Sequence, residues 1–398
     1  MSKHDFTSDE FASRKQRARE AIGAAGLDWL VVFHPVSIRW LTGSDAKSYQ
    51  EFQCLLISAQ PGPIVILTRD GERNEFRDDA FVDELHTYGG GEPEDPIEAF
   101  AALAKSLGVH EARIGMEVPA FYLHPHHYVR VKQLFGKAVV AEPTNLILNL
   151  TLVKSTQELQ YIREAARIAD LAMARFAHSL AIGRSELELA GEVYHALLTS
   201  GSGLAASPIN LVSGDRSCFS HGAPTRRRLQ RGDFGNIEFG ATFNRYTATI
   251  GRQFCMSQPT ARMIELYDVV RRAADACLAN VRPGVPALVP HEAAKQVISD
   301  AGLNHGRVHL SGYGLAPGSP PSWAEPLYLF GGSSTVLEAG MVITIEPPVF
   351  LGEERLGARL IDNVLVTTTG YELLTQFPRD LIIKETNGSL TPDEKTEP

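Results

Sequence analysis

The sequence GNIEFGATFNRYTATIGRQF, residues 235–254, is the most informative segment for the fold. It contains two runs rich in β-branched and aromatic residues, which predict two strands, one on each side of Asn244 and Arg245. The acidic residue Glu238 lies inside the otherwise apolar first run. Because buried glutamates are rare unless they are paired, we predict that Glu238 is functional. The alternative is a structural ion pair with Arg245 or Arg252.

The patterns around this stretch divide the chain into two domains. Residues 1–150 alternate strands such as LDWLVVF with helices, which predicts an α/β domain. Within it, Thr7 and Glu10 predict a cap at the start of a helix, and HPVSIRWLTG (34–43) is predicted to be a loop because of Pro35 and Gly43. Residues 151–385 contain four helical patterns and strands such as MVITIEPPVF, which predicts helices on one side of a curved antiparallel sheet, an α+β domain. Residues 386–398 are charged and are predicted to be a disordered tail.

Composition limits the possible functions. The 398 residues are 44% hydrophobic and 21% charged, which is ordinary for a soluble globular protein. The net charge of -9 argues against nucleic acid as a partner. The four cysteines are scattered singly and indicate neither a zinc site nor a disulfide framework. No export signal or membrane-spanning run is recognisable, so we predict a cytoplasmic enzyme with no membrane partner.

Three segments carry a resemblance to a known family. They are HGAPTRRRLQRGDFGNIEFGATFNRYTATIGRQF (221–254), LEAGMVITIEPPVF (337–350) and LIDNVLVTTTGYELLT (360–375). The chain resembles the aminopeptidase P, prolidase and creatinase family over essentially its whole length. The resemblance implies a creatinase-like α/β N-terminal domain, a pita-bread catalytic domain of the α+β class, and a homodimer.

Metal-dependent members of that family carry five ligands: two aspartates, a histidine and two glutamates. The matching positions here are Glu238, Thr249, Tyr313, Glu346 and Ile361. Only two of these are carboxylates, and divalent ions need several oxygen or nitrogen donors to replace lost water. We therefore predict no dinuclear metal site and no cofactor, while a single residual metal ion stays open.

Two members of the family that work without metal, creatinase and ectoine hydrolase, suggest possible substrates. Creatinase shares the histidine that is His221 here, but its two substrate-binding glutamates fall on Gly251 and Ile361. The chain more closely resembles ectoine hydrolase in three places: Glu238 followed by Asn244, Arg245 and Tyr246; Tyr313 followed by the Pro320, Pro321 and Trp323 run; and WLTG (40–43) followed by Ser48 and Tyr49.

This resemblance implies roles for particular side chains. For a protonated cyclic amidine, we expect Glu238 to attack the central carbon, or to hold the cation while water attacks, and His221 to move the proton. Tyr313 donates a hydrogen bond to the tetrahedral centre, and Glu346 is a second base or binds a substrate ammonium. The predicted substrate-binding residues are Trp40, Tyr49, Asn244, Tyr246 and Trp323, of which the aromatic members could form a cation-binding box.

The sequence thus predicts a metal-independent hydrolase that opens a C–N bond, other than a peptide bond, in a small zwitterion such as a cyclic amidine. One alternative is a creatinase-like amidinohydrolase or an osmolyte lyase. Another is a catalytically inactive member that acts as a binding module, although a carboxylate kept in an apolar strand argues against it.

Overall fold

The computed structural model describes residues 2–384, except for the side chains of Ser48 and Ala316. The predicted disordered tail lies outside the described residues. The chain divides into two compact units. Unit 1 comprises the described residues up to Tyr161, with Asn244–Tyr246 and Gly314–Leu327; unit 2 comprises Ile162–Phe243, Thr247–Tyr313 and the described residues from Tyr328 onward.

Unit 1 is an α/β structure. Its six-stranded sheet has the order β4-β3-β2-β1-β5-β6, and β1 is antiparallel to β2 but parallel to β5. The strands are β1 (Trp29–Val32), β2 (Cys54–Ser58), β3 (Val65–Arg69), β4 (Glu84–Tyr88), β5 (Ile114–Met116) and β6 (Val139–Ala141). The helices are α1 (Ser8–Ala24), α2 (Pro35–Thr42), α3 (Arg73–Asp79), α4 (Pro96–Ser106), α5 (Pro125–Phe135) and α6 (Leu146–Thr151).

The start of α1 follows from its sequence. The Thr7 side chain accepts a hydrogen bond from the backbone N–H of Glu10 at 3.1 Å, as the predicted cap requires. Residues buried on one face, among them Phe11, Ala18 and Ile22, hold the helix against its unit.

Unit 2 has the α+β composition that the sequence predicts. Its helices are α7 (Thr156–Ser179, which begins in unit 1), α8 (Glu186–Thr199), α9 (Ala261–Leu278) and α10 (Leu288–Asp300). Its strands are β7 (Asn210–Ser213), β8 (Phe234–Phe243), β9 (Tyr246–Cys255), β12 (Val342–Ile345), β13 (Val349–Leu351), β14 (Leu356–Ala358), β15 (Asp362–Val366), β16 (Tyr371–Leu373) and β17 (Ile382–Ile383). Two further strands, β10 (Tyr313–Ser319) and β11 (Ser322–Tyr328), pair with each other and belong mostly to unit 1.

The strand pairing of unit 2 brings distant segments together. β7 is antiparallel to β8, and β15 is antiparallel to both β12 and β16. A bridge between Gly251 and Ile361 joins β9 to the chain just before β15. Helix α7 and helix α8 cover β8 and β9 through a core that includes Met173, Val193 and Phe239.

Among residues 2–384, no helix combines the length and the apolar character needed to cross a membrane.

Candidate active site

Glu238 lies in the middle of β8 and is only 5% exposed. Asn210 is its direct partner on the antiparallel strand β7, so both side chains lie on one face of the sheet. The Asn210 Nδ2 donates to Glu238 Oε2 at 3.0 Å. The Nη1 of Arg359 donates to the same carboxylate oxygen and forms a buried ion pair with it. The acidic side chain is therefore fully engaged on one of its oxygens.

Arg359 follows β14 and connects Glu238 to a neighbouring segment. Its Nη2 donates to the carbonyl oxygen of Ser220, the residue before His221. Its guanidinium carbon lies 5.4 Å from the centroid of the Phe350 ring, within the range of a cation–π contact. One planar guanidinium thus fixes the positions of the Glu238 carboxylate and the His221 segment.

The two arginines that the sequence offered as partners for Glu238 bind other carboxylates. Arg245 pairs with Asp45 at 2.7 Å, and Arg252 pairs with Asp362 at 2.8 Å. The expected partners were therefore wrong, although an ion pair is present.

Glu346 directly follows β12 and is 5% exposed. Its backbone N–H donates to the carbonyl oxygen of Ser311 at 2.9 Å. Its Oε1 lies 3.2 Å from Nδ1 of His309, whereas its Oε2 is buried and has no hydrogen-bond partner among the described residues. Leaving a buried carboxyl oxygen unsatisfied is costly for stability, so this atom calls for a partner that the described residues do not supply.

Two effects raise the pKa of Glu346 well above its usual value: burial of the carboxyl group, and the negative charge of Glu238. The charge of Arg359 and hydrogen bonds from Tyr313 and Thr344 act in the opposite direction. Burial dominates, so the Glu346 carboxyl group is held in its neutral form at higher pH than an exposed glutamate.

Two histidines lie beside this acid. The rings of His221 and His309 are 5.6 Å apart at an angle of 63°. The His309 side chain is 24% exposed, and burial lowers its pKa, with further lowering by the charges of Arg359 and His221. His221 is exposed. The structure therefore brings together four predicted catalytic residues, Glu238, His221, Tyr313 and Glu346, around His309.

Close backbone packing permits this arrangement at two glycines. A Cβ atom at Gly312 would lie 2.0 Å from the carbonyl oxygen of Thr344, so only glycine fits between Ser311 and Tyr313 beside β12. A Cβ atom at Gly357 would lie 2.3 Å from the carbonyl oxygen of Ser217, which lets the His221 segment approach β14.

The five positions that match the family's metal ligands do not form a donor set for two metal ions. Ile361 has no donor atom, Tyr313 offers a phenol, and the Thr249 hydroxyl accepts a hydrogen bond at 3.0 Å from a neighbouring amide. Glu238 is already ion-paired. Within the described part of the chain, no three His, Cys, Asp or Glu side chains form a group that could hold a metal ion. The side chains present do not fit the family's metal pair.

The creatine-binding alternative meets a steric obstacle. At the two positions that match creatinase's substrate-binding glutamates, Gly251 and Ile361 pack against each other, and a Cβ atom at Gly251 would lie 2.7 Å from Cγ1 of Ile361. Neither residue can bind a guanidinium group.

The five predicted substrate-binding residues all lie in unit 1. Trp40 is 1% exposed and its Nε1 donates to Glu158 at 3.2 Å; the Tyr246 hydroxyl donates to the same carboxylate at 2.8 Å. The Asn244 Nδ2 donates to Asp5 at 3.3 Å. These three side chains belong to a polar cluster inside unit 1, and their binding roles stay predictions.

The other two are aromatic residues with different surroundings. Tyr49 makes an edge-to-face contact with Tyr122, with ring centroids 5.7 Å apart, at the edge of a surface pocket of about 260 Å³. Trp323 is 6% exposed on β11. Their substrate contacts also stay predictions.

Sequence reasoning missed four residues of the site: Arg359, His309, Asn210 and Glu186. Glu186, the first residue of α8, binds both ends of the His221 segment through Arg216 and Thr225. Asn210 could have been found from the pairing of β7 with β8, but the partners of Arg359 and His309 lie far away in sequence and leave no local pattern.

Comparison with known proteins finds relatives that are named as peptidases. Residues 14–151 match the creatinase/prolidase N-terminal domain, and residues 160–368 match metallopeptidase family M24. The "Probable dipeptidase PepE" of Mycobacterium tuberculosis is 28% identical over 385 residues, covering 96% of this chain and 99% of the relative. The "Xaa-Pro dipeptidase" of Pyrococcus furiosus is 30% identical over 238 residues, 60% of this chain and 67% of that protein. The solved structure of dipeptidase PepE from Mycobacterium ulcerans superposes with a TM-score of 0.84 at 27% identity, covering 96% of this chain and 100% of that one.

These findings correct the predicted activity. The expectation of a hydrolase for C–N bonds other than peptide bonds, with a cyclic amidine as substrate, is wrong, because the relatives are named as dipeptidases and Xaa-Pro dipeptidases. The alternatives of an amidinohydrolase, a lyase or an inactive binding module do not fit these relatives either. The three features that resemble ectoine hydrolase are short, whereas the similarity to the dipeptidases covers 96% of the chain.

The predicted fold class is confirmed: a creatinase-like N-terminal domain precedes a pita-bread domain. Since the match to the catalytic family covers residues 160–368, more than half of the 398 residues, the chain belongs to metallopeptidase family M24.

Proposed function

We propose that this chain is a peptidase that hydrolyses the amide bond of dipeptide-sized substrates, and that it does so with side chains in place of the family's metal pair. The relatives named as dipeptidases support the reaction class. The donor set, which has only two carboxylates at the five ligand positions, supports the departure from metal chemistry.

The observation that carries the proposal is the pair of buried carboxyl groups Glu238 and Glu346. The negative charge of Glu238 raises the pKa of Glu346, after the larger effect of burial. Two neighbouring carboxyl groups with different environments supply a proton donor and a charged partner in one site, a combination that supports amide hydrolysis without metal in other peptidases.

In the proposed reaction, Glu346 donates a hydrogen bond from Oε2 to the carbonyl oxygen of the scissile amide. This oxygen atom of Glu346 has no partner among the described residues, so substrate would supply its only acceptor there. Tyr313, which hydrogen-bonds Glu346, holds the carboxyl group in position. Glu238, fixed by Arg359 and Asn210, favours the protonated form of Glu346.

A turnover assay tests the proposal. Protein is treated with a chelator, its metal content is measured, and alanyl-proline, alanyl-alanine and leucyl-alanine are followed by mass spectrometry. We expect release of free amino acids by the chelated protein. Glu346→Gln should lower kcat by about 10²–10⁴, because the amide cannot supply an acidic proton. Glu265→Gln, an exposed pair partner of Arg262, is the control and should leave kcat unchanged.

Two results would contradict the proposal. Absence of turnover of all three dipeptides would remove the peptidase activity. Turnover that disappears with the chelator and returns with manganese or cobalt would show that a metal carries the reaction.

The homodimer that the family resemblance implies is a further part of the proposal. Sedimentation velocity over a range of protein concentrations would measure it, and a monomer at every concentration would exclude it.

A further inference from the structure

His309 is a titratable side chain of the site that has no role in the reaction proposed so far, and its ring is held in a defined orientation. It lies between α10 and β10, three residues before Gly312. Its Nδ1 lies 3.3 Å from the carbonyl oxygen of Leu310 and 3.2 Å from Oε1 of Glu346. Its ring is thus held by two oxygen atoms on one side.

These contacts determine which ring nitrogen carries the hydrogen. A backbone carbonyl oxygen can only accept a hydrogen bond, so the Nδ1 atom that faces Leu310 must donate. In the neutral ring the hydrogen therefore lies on Nδ1, and Nε2 keeps its lone pair. Among the described residues no group bonds Nε2, and the side chain is 24% exposed, so Nε2 is accessible to a substrate or to water.

His221 differs from His309 in this respect. The described residues offer its ring no hydrogen-bond partner, and its contact with the rest of the site is the 5.6 Å ring approach to His309. A base that transfers protons efficiently is held in one orientation by a third group, as Leu310 and Glu346 hold His309.

We propose that His309 is the catalytic base of this site, and that its Nε2 takes a proton from the water that attacks the scissile carbonyl. The inference rests on the proposed peptidase function and deepens it. In this proposal His309 transfers the proton, and His221 lies at the edge of the site without that role.

The step balances without any further reactant. Water loses a proton to Nε2 while its oxygen forms a bond to the carbonyl carbon, and the carbonyl oxygen gains negative charge against the hydrogen bond from Glu346. When the C–N bond breaks, the proton on Nε2 passes to the leaving nitrogen. One amide and one water give one carboxylic acid and one amine, and His309 returns to its neutral form.

Kinetics of matched variants tests the inference. His309→Asn keeps an N–H group near the position of Nδ1 but loses Nε2, so kcat for alanyl-proline, alanyl-alanine or leucyl-alanine should fall by about 10²–10⁴ with little change in KM. Imidazole added to His309→Gly should restore part of kcat, which a structural role would not allow. His305→Asn, an exposed histidine four residues away, should match the wild type. His221→Asn should lose less activity than His309→Asn.

A second measurement does not depend on turnover. Nitrogen-15 chemical shifts of histidine-labelled protein, assigned by comparison with His309→Gln, should show His309 with its hydrogen on Nδ1. Hydrogen on Nε2 would overturn the inference, whatever the activity.

The outcomes separate the two proposals. If the wild type cleaves the dipeptides and His309→Asn keeps its kcat, or if His221→Asn is the more damaged variant, His309 is not the base while the peptidase proposal survives. If the wild type cleaves none of the dipeptides, the proposed function and the transfer step fail together.

Discussion

Glu117 shows how a single carboxyl group can make the stability of unit 1 depend on pH. It is fully buried and accepts hydrogen bonds from the backbone N–H groups of Phe33 and His34, at 3.0 and 2.8 Å, and from the Ser37 hydroxyl at 3.0 Å. Burial raises its pKa to about 8, and the three hydrogen bonds oppose that effect only in part.

The raised pKa predicts that stability falls as pH rises. Folded Glu117 keeps its proton up to about pH 8, whereas the unfolded chain loses it above its ordinary value of 4.5, so unfolding releases a proton in this window. The contribution is complete below pH 4.5 and is lost as pH rises through about 8, on the order of 5 kcal/mol in all. Glu117→Gln removes the titration but keeps a similar hydrogen-bonding shape.

Urea unfolding between pH 5 and pH 8 measures this effect. The wild type should lose more free energy of unfolding across the range than Glu117→Gln, while the exposed control Glu98→Gln should follow the wild type. Parallel curves for wild type and Glu117→Gln would show that Glu117 does not titrate in this range.

At the scale of elements, helix α8 anchors the segment that carries His221. Glu186 at the helix start is completely buried and accepts hydrogen bonds from the Ser213 hydroxyl at 2.7 Å and from the Thr225 N–H at 2.9 Å. It also forms an ion pair with Arg216. Both ends of the segment from 216 to 225 are therefore attached to one carboxylate.

Removing this carboxylate should loosen the segment. Glu186→Ala leaves the partly buried Thr225 N–H without a partner and Arg216 without its counter-charge, so we expect a loss of about 2–4 kcal/mol in the free energy of unfolding. Hydrogen exchange of a peptide covering residues 217–224 should become faster. Glu192→Ala removes partly exposed ion pairs of the same helix with Arg175 and Arg184 and is the control, since pairs at the surface contribute little. Unchanged exchange in Glu186→Ala would show that the anchor is not needed.

Helices and strands were predicted correctly where neighbouring residues indicated one structure only. The prediction failed where proline and glycine, which occur both in loops and at helix ends, were the only signal. The Thr7 cap and the strands around Asn244 were predicted from local residues alone. The stretch from Pro35 to Gly43 was predicted as a loop, because proline and glycine were interpreted as breakers. In the structure Pro35 is the first residue of α2, and Gly43 ends that helix in the left-handed region with φ 84°.

The site was predictable only at the positions that the family resemblance matched. Glu238, Glu346 and Tyr313 were named from the sequence, but Arg359, the ion-pair partner of Glu238, was not, because it lies 121 residues from Glu238 along the chain and only the fold brings them together. Which nitrogen of His309 is free likewise depends on tertiary contacts that no local pattern contains.

At the scale of the whole molecule, a metal site in unit 2 would depend on donors from several separate segments of the chain. The five matched positions extend from residue 238 to residue 361 and lie in or directly beside five different strands, so a five-ligand site needs a donor from each of these segments. At three of these positions this chain has a threonine, a tyrosine and an isoleucine, where the resemblance implies metal ligands. The scaffold should therefore accept metal again if the donors are restored.

We predict that the wild type does not bind cobalt stoichiometrically and that a combined variant does. The variant carries Glu238→Asp, Thr249→Asp, Tyr313→His and Ile361→Glu, and it keeps Glu346. Without metal it should be less stable than the wild type, because it buries additional uncompensated carboxylates. Cobalt at about 100 times its Kd should then stabilise it by about 2.7 kcal/mol, seen as a rise in Tm and as visible absorption of bound cobalt. The same variant with Glu346→Gln is the control and should bind more weakly, since it lacks a carboxylate ligand. A wild-type Tm that rises with cobalt, together with absorption of bound cobalt, would contradict this prediction. It would show that two carboxylates are enough to bind the metal and that the chain resembles the metal-dependent members of its family.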